Sequence, residues 1–209
     1  MVYYIIYMSI IAILVGLLVA LTIHEAAHAF IANYLGDPTA RLMGRLTLNP
    51  LAHLDPMGTL VFVITALAGF PFGWGKPVQF DPYNLQNPKR DAALISLAGP
   101  ASNLIFASIL SLVFRFSGFG ILVPLVIVNV SLAVFNLIPI HPLDGGKVLV
   151  ALLPEREGRQ YDLFLNRYGI FILLMLILPI VNGQSIVSMI ISPVLNFFLS
   201  VLLPGVGVV

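Results

Sequence analysis

The sequence predicts an all-α integral membrane protein, a polytopic bundle of about five to six apolar segments with one re-entrant and a small β-like loop at the membrane. Three observations predict it. Of 209 residues, 59% are hydrophobic and only 9% are charged, where a soluble domain carries about 25% charged residues. Apolar runs recur along the chain, and Gly, Pro and Asn punctuate them. Basic residues fall almost wholly in the connecting stretches. The net charge of +1 says nothing about nucleic acid, and no basic block or aromatic-basic array suggests it, so no nucleic-acid partner is expected. The lack of cysteine excludes disulfides, thiolate metal sites and a cysteine nucleophile. Nothing repeats internally, so residues 1–209 are expected to form one domain, with its core at 20–150 and a closing helical hairpin at 169–203.

The elements follow in order. Residues 2–34 form a long apolar helix that Gly36-Asp37-Pro38 breaks. It lacks the basic start of a signal peptide and exceeds the length of one, so a retained span is expected. Tyr3, Tyr4 and Tyr7 suit an interfacial belt. Residues 39–56 are polar and loop-like, carrying Arg41, Arg45, Asn49, His53 and Asp55. Residues 57–72 are apolar, shorter than the ~20 residues a crossing helix needs, and edged by Gly and Pro. Residues 76–80 have the composition of a short strand, and a Pro-rich loop follows. Residues 92–114 and 119–140 are spans joined by a tight turn at Arg115 to Gly118. A charged segment, 155–162, precedes the last two apolar runs, 169–181 and 185–203, which turn around Asn182-Gly183-Gln184.

The first helix carries His24-Glu25-Ala26-Ala27-His28, the one match in the sequence to the spacing that zinc peptidases use. Side chains four apart stand on one helix face, so both imidazoles can reach one ion. Glu25 lies about 100° further round, near enough to take a proton from water polarised by that ion. In a soluble helix the pattern often means nothing. In lipid each ionisable side chain is costly unless paired or used, and three within five residues are hard to explain as packing. The competing reading is three polar groups satisfied by neighbouring helices.

A catalytic zinc needs three protein ligands and an open position. The best third candidate is Asp144, in Asn136-Leu-Ile-Pro139-Ile-His141-Pro142-Leu-Asp144-Gly145-Gly146. Pro139 and Pro142 remove backbone donors and interrupt the span, and the glycines permit sharp turns beside the carboxylate. An ordinary helix end with a capping Asp is the alternative; the histidine pair tips the balance toward the metal. For Asp144 to meet His28, the ends of the first span and of span 119–140 must share a membrane side. That holds if 57–72 dips in and returns. The basic residues agree. With a re-entrant segment, Arg41, Arg45, Lys76, Lys89, Arg90, Lys147, Arg156, Arg159 and Arg167 share one side and only Arg115 is opposite. A crossing segment would split the ten basic residues seven to three, a weaker positive-inside signal. The metal-side loops are therefore expected in the cytoplasm, and the N-terminus outside.

Three stretches together resemble the site-2 protease family of intramembrane zinc metalloproteases: His24-Glu25-Ala-Ala-His28, Gly99-Pro100-Ala-Ser-Asn103, and Asn136-Leu-Ile-Pro139 leading to Leu143-Asp144-Gly145-Gly146. Gly44-Arg45-Leu-Thr-Leu-Asn49-Pro50 and Gly75-Lys76-Pro77-Val78 are similar to the short bacterial branch of that family. The resemblance covers residues 20–150. It implies a multi-pass cell-membrane metalloendopeptidase that cuts transmembrane segments of single-span substrates, usually after another protease has trimmed them. It implies one catalytic zinc held by His24, His28 and Asp144, with Glu25 as general base. His141 departs from the family, which more often has an apolar residue or Pro there; a satisfied buried histidine is the simpler reading than a further ligand. No appended peptide-binding or nucleotide-sensing module is expected in this length.

Peptide bonds in lipid see neither water nor base, so such an enzyme must bring both. Glu25 would take the proton of water and return it to the leaving amine. A substrate helix must unwind, and 76–80 is a candidate edge for the extended chain. Asn103 and Asn136, amides within apolar spans, either fasten helices together or hold substrate backbone or the developing oxyanion. His53, beside Asp55, reads as a loop residue, and Arg156, Glu157 and Arg159 as a solvated face. A membrane metal transporter, a catalytically inactive scaffold and a two-His-one-carboxylate iron oxygenase are the rival classes. A transporter would spread its ligands over inverted repeats, which the sequence lacks. An oxygenase leaves Glu25 without a task.

Overall fold

The computed structural model describes the backbone of residues 2–67, 73–179 and 183–206, and their side chains apart from those of 2–10, 66 and 67. The described residues form eight α-helices: α1 Val2–Tyr34, α2 Thr39–Leu42, α3 Pro56–Leu67, α4 Pro88–Ser117, α5 Leu122–Asn136, α6 Asp144–Leu152, α7 Glu155–Ile177 and α8 Ile186–Leu202. Three are long and apolar enough to cross a membrane: α1 over Ile11–Tyr34, α4 and α7. Helices α3, α5 and α8 are apolar but shorter. The end of the expected re-entrant segment (68–72), Asn182 in the last turn, and the side chains of Tyr3, Tyr4 and Tyr7 lie outside the described residues.

Helices α1, α4 and α5 pack on one another as the centre of the bundle, with α6 against α4, α7 against α6, and α8 against α5. Small residues make this possible. Ala12, Ala20, Ala29 and Ala32 are buried along α1, and where lipid supplies no hydrophobic drive, close approach of backbones supplies the contact energy. Ala107, Val126, Val130, Val134, Leu199 and Leu203 knit α4, α5 and α8 together. The turn from α4 to α5 uses Gly118 in the left-handed region at φ 68°, a conformation costly for residues with a β-carbon.

The charged stretch 155–162, read from sequence as part of a loop, is the start of α7. Pro154 precedes it, and Glu155 and Glu157 occupy its first turn, where the helix dipole favours negative charge. Residues 76–80 form no strand. Pairing is confined to a bridge between Leu54 and Gly75 and a bond from the Lys76 amide to the His53 carbonyl at 2.8 Å. Pro77 then has no N–H to give, and the Val78 N–H is committed elsewhere.

The loops beside α1 are held by Asp37, whose buried carboxylate accepts from the Thr39 hydroxyl at 2.6 Å, the Asp81 amide at 2.8 Å and the Asn84 side chain at 2.8 Å. Burial pushes this carboxyl's pKa up, but the hydrogen bonds outweigh it and hold it below the usual carboxylate range. His53 is fully buried in the same layer, with its Nε2 at 2.9 Å from the Thr47 carbonyl.

Candidate metal centre

The site is built where α1 crosses α4 and meets the start of α6. His24 and His28, one turn apart on α1, are both buried, with ring centroids 4.6 Å apart and planes at 86°. Asp144 opens α6. Its Oδ2 lies 3.1 Å from His24 Nε2 and 3.3 Å from His28 Nε2. One ligand atom from each of the three residues falls within 4.8 Å of the others. Residues 120 apart in sequence are thus brought together, as the common-side requirement demanded.

The hydrogen bonds around the imidazoles define what they can bind. The His28 Nδ1 faces the Ile95 carbonyl at 2.6 Å, an acceptor only, so this nitrogen carries the proton and donates it. The His24 Nδ1 faces the Asn103 Oδ1 at 2.7 Å. The amide nitrogen of Asn103 donates to the Ala20 carbonyl and to Asn129 Oδ1, both at 2.9 Å, which fixes its oxygen toward His24. His24 must then donate from Nδ1 as well. With both rings neutral, both Nε2 atoms present lone pairs to a carboxylate, another acceptor. Three acceptors converging in a buried space repel one another unless a cation lies between them. Two neutral imidazoles and one carboxylate are a donor set that suits zinc, and their outer nitrogens are oriented as those of metal-binding histidines are.

Glycine makes the room. A β-carbon at Gly99 would lie 2.5 Å from His28 Nε2 and 2.6 Å from His24 Nε2. Pro100 follows inside α4 and has no N–H for the Ser96 carbonyl one turn earlier. Gly145 and Gly146 act differently from the sequence expectation. They are helical, and they serve close approach: a β-carbon at Gly145 would meet the Leu137 carbonyl oxygen at 2.3 Å, and one at Gly146 the His141 Nδ1 at 2.6 Å.

Glu25 is buried beside the ligands, and its Oε2 accepts the Val78 N–H at 2.9 Å. A cavity of about 100 Å³ borders on His24, Glu25, His28, Asp144, Asn136 and Lys147. Asn136 therefore sits at the site, although its amide nitrogen also bonds back to the Leu132 carbonyl at 3.0 Å. Asn103 does not face this cavity; both ends of its amide are engaged in the network behind His24. His141 is a satisfied buried histidine, with Nε2 2.9 Å from Asp162 Oδ1, and not a ligand. Sequence reasoning missed Asn129, the Val78 N–H, the Ile95 carbonyl and Lys147. Asn129 was visible in principle, being an amide midway along an apolar span. Main-chain groups leave no such trace.

Comparison with known proteins finds a peptidase family and relatives named as zinc metalloproteases. The description "Peptidase family M50" matches residues 117–180. The Bacillus subtilis (strain 168) protein named "Putative zinc metalloprotease YwhC" is 37% identical over 159 residues, covering 68% of this chain and 69% of its own. "Putative zinc metalloprotease Rip2" of Mycolicibacterium smegmatis is 36% identical over 160 residues, covering 70% of this chain and 60% of its own. The protein of that name from Mycobacterium tuberculosis (strain ATCC 25618 / H37Rv) is 31% identical over 191 residues, covering 82% and 68%. No solved structure gives a significant match.

Proposed function

Because the chain belongs to the site-2 protease family, peptidase family M50, we propose that His24, His28 and Asp144 hold its catalytic zinc and that Glu25 is the general base. The chain is a zinc metalloprotease of the intramembrane type. The single observation that supports the ligand assignment is the convergence of two Nε2 lone pairs and one carboxylate oxygen, with both Nδ1 protons directed away. Bound there, zinc lowers the pKa of water toward ~7 and polarises a carbonyl. The protein's own groups do the rest. Asn103 and the Ile95 carbonyl orient the imidazoles. Glu25, beside the cavity, takes a proton from the attacking water and delivers it to the leaving amine. Val78 N–H holds the Glu25 carboxylate toward the cavity wall until then.

The substrates are transmembrane segments of single-span membrane proteins, unwound at the site and cut as one step of regulated proteolysis. In the membrane, α1, α4, α5, α7 and α8 cross and α3 re-enters, in a multi-pass arrangement in the cell membrane with the metal-side loops in the cytoplasm. The nine basic residues on that side support the orientation. Stretch 76–80, already touching Glu25, is the edge along which an unwound substrate would lie.

The test compares the zinc-loaded chain with Glu25→Gln on a panel of single-span substrates in proteoliposomes. Cleavage should fall about 10³-fold while zinc content stays at one per chain. Metal-dependent transport into sealed vesicles that survives Glu25→Gln, without any cleavage, would overturn the reading.

A further inference from the structure

Lys147 is a charge at the site that the mechanism above leaves unused. It follows Asp144 by three residues on α6, so the two side chains share a helix face one turn apart. Its side chain borders the same cavity as Glu25 and the three ligands. Its Nζ lies 4.8 Å from the centroid of the Phe80 ring. Burial pushes its pKa below the usual lysine value, against the pull of the Asp144, Glu25 and Asp162 carboxylates, and among the described residues none forms an ion pair with it. An ammonium has three hydrogens to donate, and among the described residues the ring face of Phe80 is its one partner. Asn136, which also borders the cavity, gives one of its two amide hydrogens to Leu132 of its own helix.

We propose that Lys147 donates to the scissile carbonyl oxygen of the substrate and holds the negative charge that gathers there. This rests on the protease reading. The oxygen of water bonds to the carbonyl carbon as its proton passes to Glu25, and the C=O π pair moves onto the oxygen facing Lys147. When that pair returns, the C–N bond breaks and the proton on Glu25 leaves with the amine. A fixed cation beside that oxygen favours the charged tetrahedral species over the neutral amide, so it lowers the barrier more than it tightens binding.

Three variants of the full chain test it: Lys147→Gln, Lys147→Met, which keeps an apolar stem against Phe80, and Lys147→Arg. Each is assayed in micelles for zinc content, kcat and KM, and for affinity toward a phosphinate peptide and the amide peptide of the same sequence. The proposal expects full zinc in all three. In Lys147→Gln and Lys147→Met, kcat and phosphinate affinity should both fall about 10²-fold, with KM and amide-peptide affinity little changed and part of the loss restored in Lys147→Arg. A rise in KM at constant kcat, equal losses for both peptides, unchanged kinetics, or failure of both neutral variants to fold with zinc would each overturn it. The protease reading is judged separately, by wild-type cleavage and its loss in Glu25→Gln.

Discussion

The inner helices α1, α4 and α5 and the outer pair α7 and α8 are built from similar apolar residues, but the polar side chains at the metal centre are used differently from those of α8. At the metal centre they reach across: His24 to Asn103, Asn103 to Ala20 and Asn129, His28 to Ile95, while Thr22, Ser102 and Ser108 on the same inner helices bond back to their own. On α8 they fold back. The Ser188, Ser192 and Ser200 hydroxyls bond to Ser185, Ser188 and Phe197 carbonyls three or four residues earlier. Burial follows the same division, 39% of the apolar window of α1 against 17% in α7. Polarity in an apolar helix is thus a poor marker of function by itself. A group that satisfies itself on its own helix fixes nothing beyond it. A group that bonds to another helix sets the distance and rotation between the two, and only such groups hold the metal centre.

The sharpest way to break this contrast is Gly99→Ala. The new β-carbon occupies the space between the two Nε2 atoms, so elemental analysis should find no stoichiometric zinc, and cleavage should vanish. Asn103→Leu comes next. It removes the acceptor of the His24 proton, and zinc affinity by competition with a chelator should weaken about 10- to 100-fold. Zinc affinity equal to wild type would mean that the cross-helix network is mere packing. Asp37→Ala extends the comparison to the loops. It strands the Asp81 amide and the Asn84 side chain and should cost about 2 kcal/mol at neutral pH in reversible unfolding. Because the folded-state pKa of Asp37 is depressed, its contribution is complete above the unfolded-state value near 4 and fades as pH drops through the folded-state value. The gap between wild type and variant should therefore narrow in acid. A gap independent of pH would assign the loss to packing. Ser192→Ala on α8 should change stability by less than about 0.5 kcal/mol and leave zinc and cleavage untouched.

Much of this arrangement was readable from residues. Hydropathy gives the apolar helices, the four-residue spacing of His24 and His28 gives a shared face, and the need for a third ligand beside a broken span gives Asp144. What was not readable depends on which backbones touch. The sequence shows Gly145 and Gly146 but not that they press α6 onto the Leu137 carbonyl and His141. Lys147 counts as one loop charge among nine until the fold turns it toward Glu25. Residues 76–80 have strand composition, but the Val78 N–H goes to Glu25, a competition settled only by tertiary structure.

The two glycines after Asp144 have one more consequence. At Gly145 main chain rests on main chain with no intervening rotamer to adjust, and Gly146 rests on the ring and backbone of His141. Such a seat does not drift when nearby side chains are exchanged, so the outward surface of the bundle is free to vary with the host membrane while the reach of the Asp144 carboxylate stays constant.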